Sequence, residues 1–298
     1  VGLIGPSGTI KAITRQLENI KVRTKLSDRA LDLIIQTNSK EKQSLETDKL
    51  YDLVYILKES ENNPDLIMSL RSIEKFCTYR NVWIIGYKPS WLKNVKYIHT
   101  NQKGNTKWTN SCINFKAACE CEDISENFIL MNDDFIALRP ILDWKQALNV
   151  CLGSITDEST RYRKKSKASK WQNGFIYAEK LLIECHAKTC YNYETHLPMI
   201  INKTNYLKFL EIPAIKKFMQ TSNVLHKRSL YKNLFPEPDT SFPHKIKDVK
   251  INLGYDFTDN YLKENWISVF DNVIGDYLKF PKINKFLNNM FPNKSNFE

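Results

Sequence analysis

From Tyr51 onward, short apolar runs alternate with stretches whose apolar positions recur at helical spacing, and this alternation predicts a sheet assembled from βαβ units. "DLVYIL" (52–57) reads as a strand and "PDLIMSLRSIEKF" (64–76) as a helix opened by Pro64. "NVWIIGY" (81–87) and "VKYIHT" (95–100) are two more strands, "TKWTNSCINFKAACE" (106–120) is a second helix, and "NFILM" (127–131) is a further strand. Strands joined by helices imply an α/β fold with a mixed, mostly parallel sheet flanked by helices, whose ligands belong at the carboxyl ends of the strands.

Outside this block the pattern changes. Residues 10–36 carry Ile13, Leu17, Ile20, Val22, Leu26, Leu31 and Ile34 at helical spacing, which predicts a helical amino-terminal extension over 1–46, running into the polar linker "TNSKEKQSLETDK" (37–49). The opening "GLIGPSG" (2–8) does not meet Gly-x-x-x-x-Gly-Lys-Ser/Thr and follows no strand, so it reads as a flexible start rather than a phosphate loop. The α/β region is read over 47–235. The Pro-rich "FPEPDTSFPHK" (235–245) marks a boundary or an exposed loop, and 236–298, with the strand-like "WISVF" (266–270), reads as a segment packing on the core.

The pattern is broken in one place. In "ILMNDDFIAL" (129–138) the polar triplet Asn132, Asp133 and Asp134 separates two apolar runs, although adjacent carboxylates are expensive to desolvate. Three readings are open. The pair can bind a divalent cation through oxygen, act as an acid/base pair, or cap a helix and pair with lysines. The apolar run resumes at once at Phe135, which points to an interrupted buried element rather than a solvated turn.

Charge widens the picture. Of 298 residues, 44 are Lys or Arg and 33 Asp or Glu, a net charge of +11 that favours nucleic acid, nucleotide diphosphates or anionic lipid as partners. Lys and Asn are frequent throughout, so a composition bias is the competing explanation. With 42% apolar and 12% aromatic residues, the disordered and fibrous classes do not fit. Seven scattered cysteines, with Cys119-x-Cys121 lacking a second pair at zinc-finger spacing, read as buried thiols in a reducing compartment. No run approaches the roughly 18 apolar residues of a membrane span and no leader pattern is present, so the expected location is the cytoplasm.

Other residues are candidates by spacing. Lys107, Asn110 and Asn114 share one helix face, which either lines the pocket of the acidic pair or is an ordinary solvated face. Glu194 and His196 lie two apart, so an extended segment would point both the same way, suited to general-base or metal duty, against a structural role for the histidine. Lys227, Arg228 and Tyr231 could hold phosphates, or form a solvated basic turn. Arg161, Arg163, Lys164, Lys165 and Lys167, with Trp171 behind them, either clamp an anionic acceptor such as DNA or form a mobile charged loop.

The ordered stretches "SLRSIEKF" (69–76), "NVWIIGYKPSWL" (81–92), "FILMNDDFIALRP" (128–140) and "ETHLPMI" (194–200) carry a resemblance. The segment from Asp52 to about Pro140 resembles the nucleotide-sugar-binding half of a GT-A glycosyltransferase, and within that fold it is most similar to the Stealth family of sugar-phosphate transferases of capsular polysaccharides. The resemblance implies that Asp133 and Asp134 hold Mg²⁺ or Mn²⁺ against the diphosphate of a nucleotide sugar, a UDP-sugar first among donors, with Asn132 positioning them. It also favours a functional His196; with the spacing and charge arguments above, Asp134, His196 and Glu194 are the catalytic candidates, and Asn132, Lys107, Asn110, Asn114, Lys227 and Arg228 the candidates for cofactor contacts. One departure stands out. Where that family has Trp-Val-Asp-Gly near its first strand, this chain has "YILKESENN" (55–63), with Glu59 and Glu61 only loosely placed to substitute. That favours plain glycosyl transfer over sugar-1-phosphate transfer. The acceptor is a DNA base, as for sugar-transferring enzymes encoded by some phages, or a surface glycan. A non-catalytic nucleic-acid-binding module on an eroded transferase fold is the reading from another class.

Overall fold

The computed structural model describes residues 50–104, 106–237, 242–251, 266–268 and 276–298. The helical reading over 10–36, the linker after it and the "GLIGPSG" start lie outside these residues. Tyr51–Glu298 is one compact unit.

Strand β1 (Asp52–Leu57) is apolar on both sides, with Leu53, Val54, Tyr55 and Leu57 almost fully buried, and it takes the central place that such a run demands. It pairs in parallel with β2 (Val82–Gly86) on one side and β4 (Asn127–Met131) on the other. Strand β3 (Lys96–His99) joins β2 in parallel, and β7 (Met199–Asn202) joins β4 antiparallel, so the sheet runs β3-β2-β1-β4-β7. The expected α/β class, a mixed and mostly parallel sheet flanked by helices, is what the chain forms.

The period-two alternation of each strand divides the core into two layers. Val54, Ile85, Phe128, Leu130 and Ile201 face α2 (Lys107–Glu120), α5 (Lys170–Glu184), α6 (Lys203–Glu211) and α8 (Lys227–Leu234). Leu53, Tyr55, Ile84, Ile129 and Met131 face α1 (Pro64–Phe76) through Leu66, Leu70 and Ile73. The smaller elements are α3 (Trp144–Leu148), β6 (Val150–Cys151), α4 (Ile155–Arg163) and α7 (Pro213–Met219). At the foot of the central strand, buried Asp52 accepts from Arg80 Nε at 3.0 Å, Asn81 Nδ2 at 2.9 Å and the Ser125 N–H at 2.8 Å. Burial works to raise its pKa, and these donors outweigh that and hold it below the usual aspartate value.

The apolar run after the acidic triplet does not continue β4. It starts β5 (Phe135–Ala137), which pairs antiparallel with β9 (Trp266–Ser268) in a separate two-stranded sheet. Helix α1 fixes that strand from below: Ser69 Oγ donates to the Phe135 carbonyl at 2.6 Å and Ser72 Oγ accepts from the Ala137 N–H at 3.0 Å. Another short pair joins β6 to β8 (His244–Lys245). Of the expected strand over 266–270, residues 269–270 lie outside those described. Helix α9 (Pro281–Met290) and the residues after it return to α1, where Arg71 donates from Nε and Nη2 to the Glu298 carboxylate, both at 2.7 Å. All seven cysteines are free thiols, and among the described residues no helix is long and apolar enough to cross a membrane.

At the carboxyl edge of the sheet Gly86 has φ +107°, and a Cβ there would lie 2.3 Å from the Leu57 carbonyl oxygen and 2.5 Å from Gln102 Nε2. Only glycine closes that edge, because L side chains rarely adopt this conformation and no space is left for one.

Candidate active site

Asn132, Asp133 and Asp134 form the turn that carries the chain from β4 to β5, at the carboxyl end of an interior strand of the sheet. Asn132 is exposed, Asp133 half-buried and Asp134 buried. Two side chains from distant parts of the chain hold the pair. Asn63, the N-cap of α1, accepts the Leu66 N–H on Oδ1 at 3.0 Å and turns its Nδ2 to Asp133 Oδ2 at 2.8 Å. Ser268, the last residue of β9, donates its hydroxyl to Asp134 Oδ2.

Burial pushes the Asp133 carboxyl up to about 6, the neighbouring Asp134 charge adds to the rise, and Asn63 and Lys58 offset part of it. Asp134 is raised as well, first by burial, with Ser268, His196 and Arg228 working against the rise. Two carboxylates held side by side against their own preference for water are a site short of positive charge.

Helix α8 supplies one cation. Arg228 is buried beside Asp134 and Glu194; its Nη1 donates to the Leu197 carbonyl at 2.6 Å, its guanidinium stands 5.3 Å from the centre of the Phe135 ring, and its buried Nη2 has no hydrogen-bond partner. Lys227, one residue earlier, turns about 100° away on the helix and lies over the Phe115 ring of α2 at 5.2 Å, so the two cations serve different faces.

Glu194 and His196 do not share a direction. The alternation argument needs an extended segment, and His196 has φ +47°, a left-handed turn rare for a residue with a side chain. Glu194 therefore points at α8, where Oε1 accepts the Ser229 N–H at 3.1 Å and hydroxyl at 3.2 Å and lies 3.8 Å from His226 Nδ1. Burial alone would raise Glu194; His226, Arg228 and the Ser229 N–H prevail and hold it at about 2. His196 instead donates Nδ1–H to Asp248, both of whose oxygens lie at 2.9 Å, and Asp248 in turn accepts the Lys250 N–H at 3.1 Å. His226 is locked from the other side: its Nε2 donates to the Trp171 carbonyl at 3.0 Å, and a Cβ on Gly174 would come within 2.6 Å of that nitrogen. Gly174 is the residue that lets α5 approach this histidine.

The remaining candidates lie elsewhere. Buried Asn114 accepts the Thr100 hydroxyl, and Asn110 accepts the Gly104 N–H at 2.7 Å, so both amides tie down the loop over 100–104; Lys107 lies over the Trp108 ring at 5.2 Å. Glu61 accepts Tyr87 Oη at 2.7 Å and the Ser90 N–H at 3.0 Å, which binds it to the turn after β2. In the basic stretch, Arg161 pairs with Glu158 and Arg163 with Glu179, while Lys164, Lys165 and Lys167 stay exposed.

Asn63, Ser268 and Asp248 were absent from the candidates read in the sequence. Asn63 had a signal, an Asn immediately before a Pro-started helix, which marks an N-cap. Ser268 and Asp248 had none, because their roles depend on where the carboxy-terminal segment crosses the sheet edge.

No family model matches the sequence, and no curated protein matches it. Among solved structures, the chain is similar to the apo structure of WbbM, a bifunctional glycosyltransferase, with a TM-score of 0.46 and 9% sequence identity. That likeness covers 82% of this chain and 50% of the other, so the chain spans about half the length of the structure it matches. The α/β description stands on the strand order β3-β2-β1-β4-β7.

Proposed function

We propose that the chain is a metal-dependent glycosyltransferase that moves a sugar from a nucleotide-sugar donor, a UDP-sugar first among them, to an anionic or polymeric acceptor, a DNA base or a surface glycan. The observation that supports this reading best is the pair Asp133 and Asp134 at the carboxyl end of β4, both with raised proton affinity. Among the described residues no group of three or more His, Cys, Asp or Glu side chains is gathered as a ligand set. Two carboxylates suit Mg²⁺ or Mn²⁺ all the same, because such ions are commonly held by one or two carboxylates and completed by water and substrate phosphate. Asp133 and Asp134 would hold the ion through the oxygens left free by Asn63 and Ser268, and it would supply positive charge to the leaving diphosphate.

The chain's own groups divide the rest of the work. Arg228 balances the charge of Asp134. Asp248, accepting from His196 Nδ1, favours the tautomer whose Nε2 lone pair can take the proton of the acceptor nucleophile. Asp248→Asn presents an amide that can donate to Nδ1 and reverse the tautomer. We expect kcat to fall by about a hundredfold with the donor KM little changed, and the imidazole ¹⁵N shifts to report the exchanged tautomer. Unchanged shifts and wild-type kcat would remove His196 from the base role.

The resemblance to the Stealth family keeps sugar-1-phosphate transfer as the neighbouring reaction, and the products separate the two. From a nucleoside-diphosphate sugar, glycosyl transfer releases a nucleoside diphosphate, whereas sugar-phosphate transfer releases a monophosphate. A thermal-unfolding series with UDP-, GDP-, ADP- and CMP-sugars, each with and without Mn²⁺, tests the proposal directly. One donor at about 100 times its dissociation constant should add roughly 2.7 kcal/mol only when Mn²⁺ is present, and Mn²⁺ without donor should add much less. Absence of any donor-dependent shift, alongside tight and salt-sensitive binding to DNA, would mean a binding module instead.

A further inference from the structure

A cleft of about 240 Å³ opens where the end of α3, the segment over 189–193, the carboxyl end of α8 and the residues before β8 converge. The rings of Tyr191, Tyr193 and Phe242 line it together with Lys145 and Lys232, and Glu237 is the one acidic side chain among its lining residues. Tyr191 and Tyr193 meet edge to face at 6.1 Å, and the Lys232 ammonium stands 5.1 Å from the centre of the Tyr193 ring and 3.9 Å from Glu237.

The aromatic wall is held in place. Asn233 of α8 accepts the Tyr191 N–H at 2.8 Å and donates to the Tyr191 carbonyl at 2.8 Å, while the Tyr193 N–H donates to Ser229 Oγ at 2.9 Å. Such a wall pays little ordering entropy when a ligand arrives. The Phe242 ring, by contrast, is 80% exposed, a large apolar face left in water at the rim. Among the described lining residues two ammonium groups stand against one carboxylate, and Lys232 lies one turn from Arg228 on the same face of α8.

We infer that this cleft binds one acidic saccharide unit, a hexose-sized ring bearing a phosphate or a carboxylate, belonging to the acceptor chain away from its reacting end. The inference rests on the glycosyltransferase reading for the word acceptor. The chemistry itself is local: a sugar ring lays its apolar face on tyrosine and phenylalanine rings, turns its hydroxyl edge to Asn149 and Glu237, and sets its charge toward Lys145 and Lys232. A polymer held there raises the effective concentration of its end at the acidic pair.

The full chain, without donor, is titrated by NMR with trigalacturonate and with glucose 1-phosphate, and with maltotriose as the neutral control. Binding of one or both acidic probes is expected, with trigalacturonate selecting the carboxylate source and glucose 1-phosphate the phosphate source. Lys145→Ala and Phe242→Ala, both at exposed positions, should each weaken it about tenfold, maltotriose should bind at least about tenfold more weakly, and Asp133→Asn should change nothing. No binding of either acidic probe, equal binding of maltotriose, or binding unaffected by both cleft variants overturns the assignment. Because this titration needs no turnover, failure of the transferase reading shows in product formation and failure of the cleft shows here.

Discussion

Asp133→Asn lowers kcat by about a thousandfold or more, while the metal-free protein becomes harder to unfold at pH 7. The two effects come from one cause. Asp133 titrates at about 6 in the folded chain against its ordinary 3.8, because burial and the Asp134 charge oppose its ionisation. A carboxyl whose folded value is raised favours the fold fully at pH below the unfolded value, and that advantage disappears as pH rises through the folded value. At pH 7 the ionised group therefore weighs against the fold. The gap between 3.8 and about 6 corresponds to about 3 kcal/mol, which solvent screening of a half-buried group reduces to on the order of 2 kcal/mol. Asparagine keeps the Asn63 contact and removes the charge. Urea unfolding in EDTA should show the variant ahead at pH 7, with the gap closing toward pH 4. A variant that turns over normally, or that is less stable than wild type at both pH values, would mean that Asp133 serves the fold rather than a cation.

Strands β1, β2 and β4 were legible because they are short apolar runs bounded by polar or proline residues. Strand β1, helix α1 and strand β4 fall on the residues whose patterns announce them, and Pro64 at the first turn marks the start of α1. The acidic turn was legible for the same reason, as a polar interruption of a buried run. Its surroundings were not. The alternation placing Glu194 beside His196 assumes φ < 0 throughout, and the left-handed turn at His196 sends the two apart. The stripe of Lys107, Asn110 and Asn114 is a real helix face, yet spacing cannot say that its amides turn to the loop over 100–104. Asp248 and Ser268 sit 52 and 134 residues from the side chains they touch, in a Lys- and Asn-rich stretch with no local pattern. Such contacts are products of tertiary crossing, and a single sequence carries no periodicity that marks them.

Glu194→Ala should cost about 3–5 kcal/mol, the range expected when one partner of a buried charge pair is removed. The carboxylate accepts the Ser229 N–H and hydroxyl, stands 3.8 Å from His226 Nδ1 and shares buried Arg228 with Asp134. Without it, Arg228 keeps the Leu197 carbonyl and the field of Asp134 but loses half of its compensating charge, and the Ser229 N–H at the start of α8 loses its acceptor. The sign with pH is opposite to that of Asp133. Glu194 is held at about 2 against its ordinary 4.5, so its contribution is complete above 4.5 and is lost as pH falls from there toward 2. Denaturant unfolding at pH 7 and at pH 3 separates the parts: wild type should lose this contribution on acidification, whereas Glu194→Gln, which keeps an acceptor for Ser229 but no charge, should lose less between the two. Glu194 then acts through Arg228, fixing the cation that balances the charge of Asp134, and does not touch the reacting groups. A Gln variant with wild-type stability at both pH values and no turnover would reverse this, because it would place the carboxylate's charge in the chemistry rather than in the support beneath it.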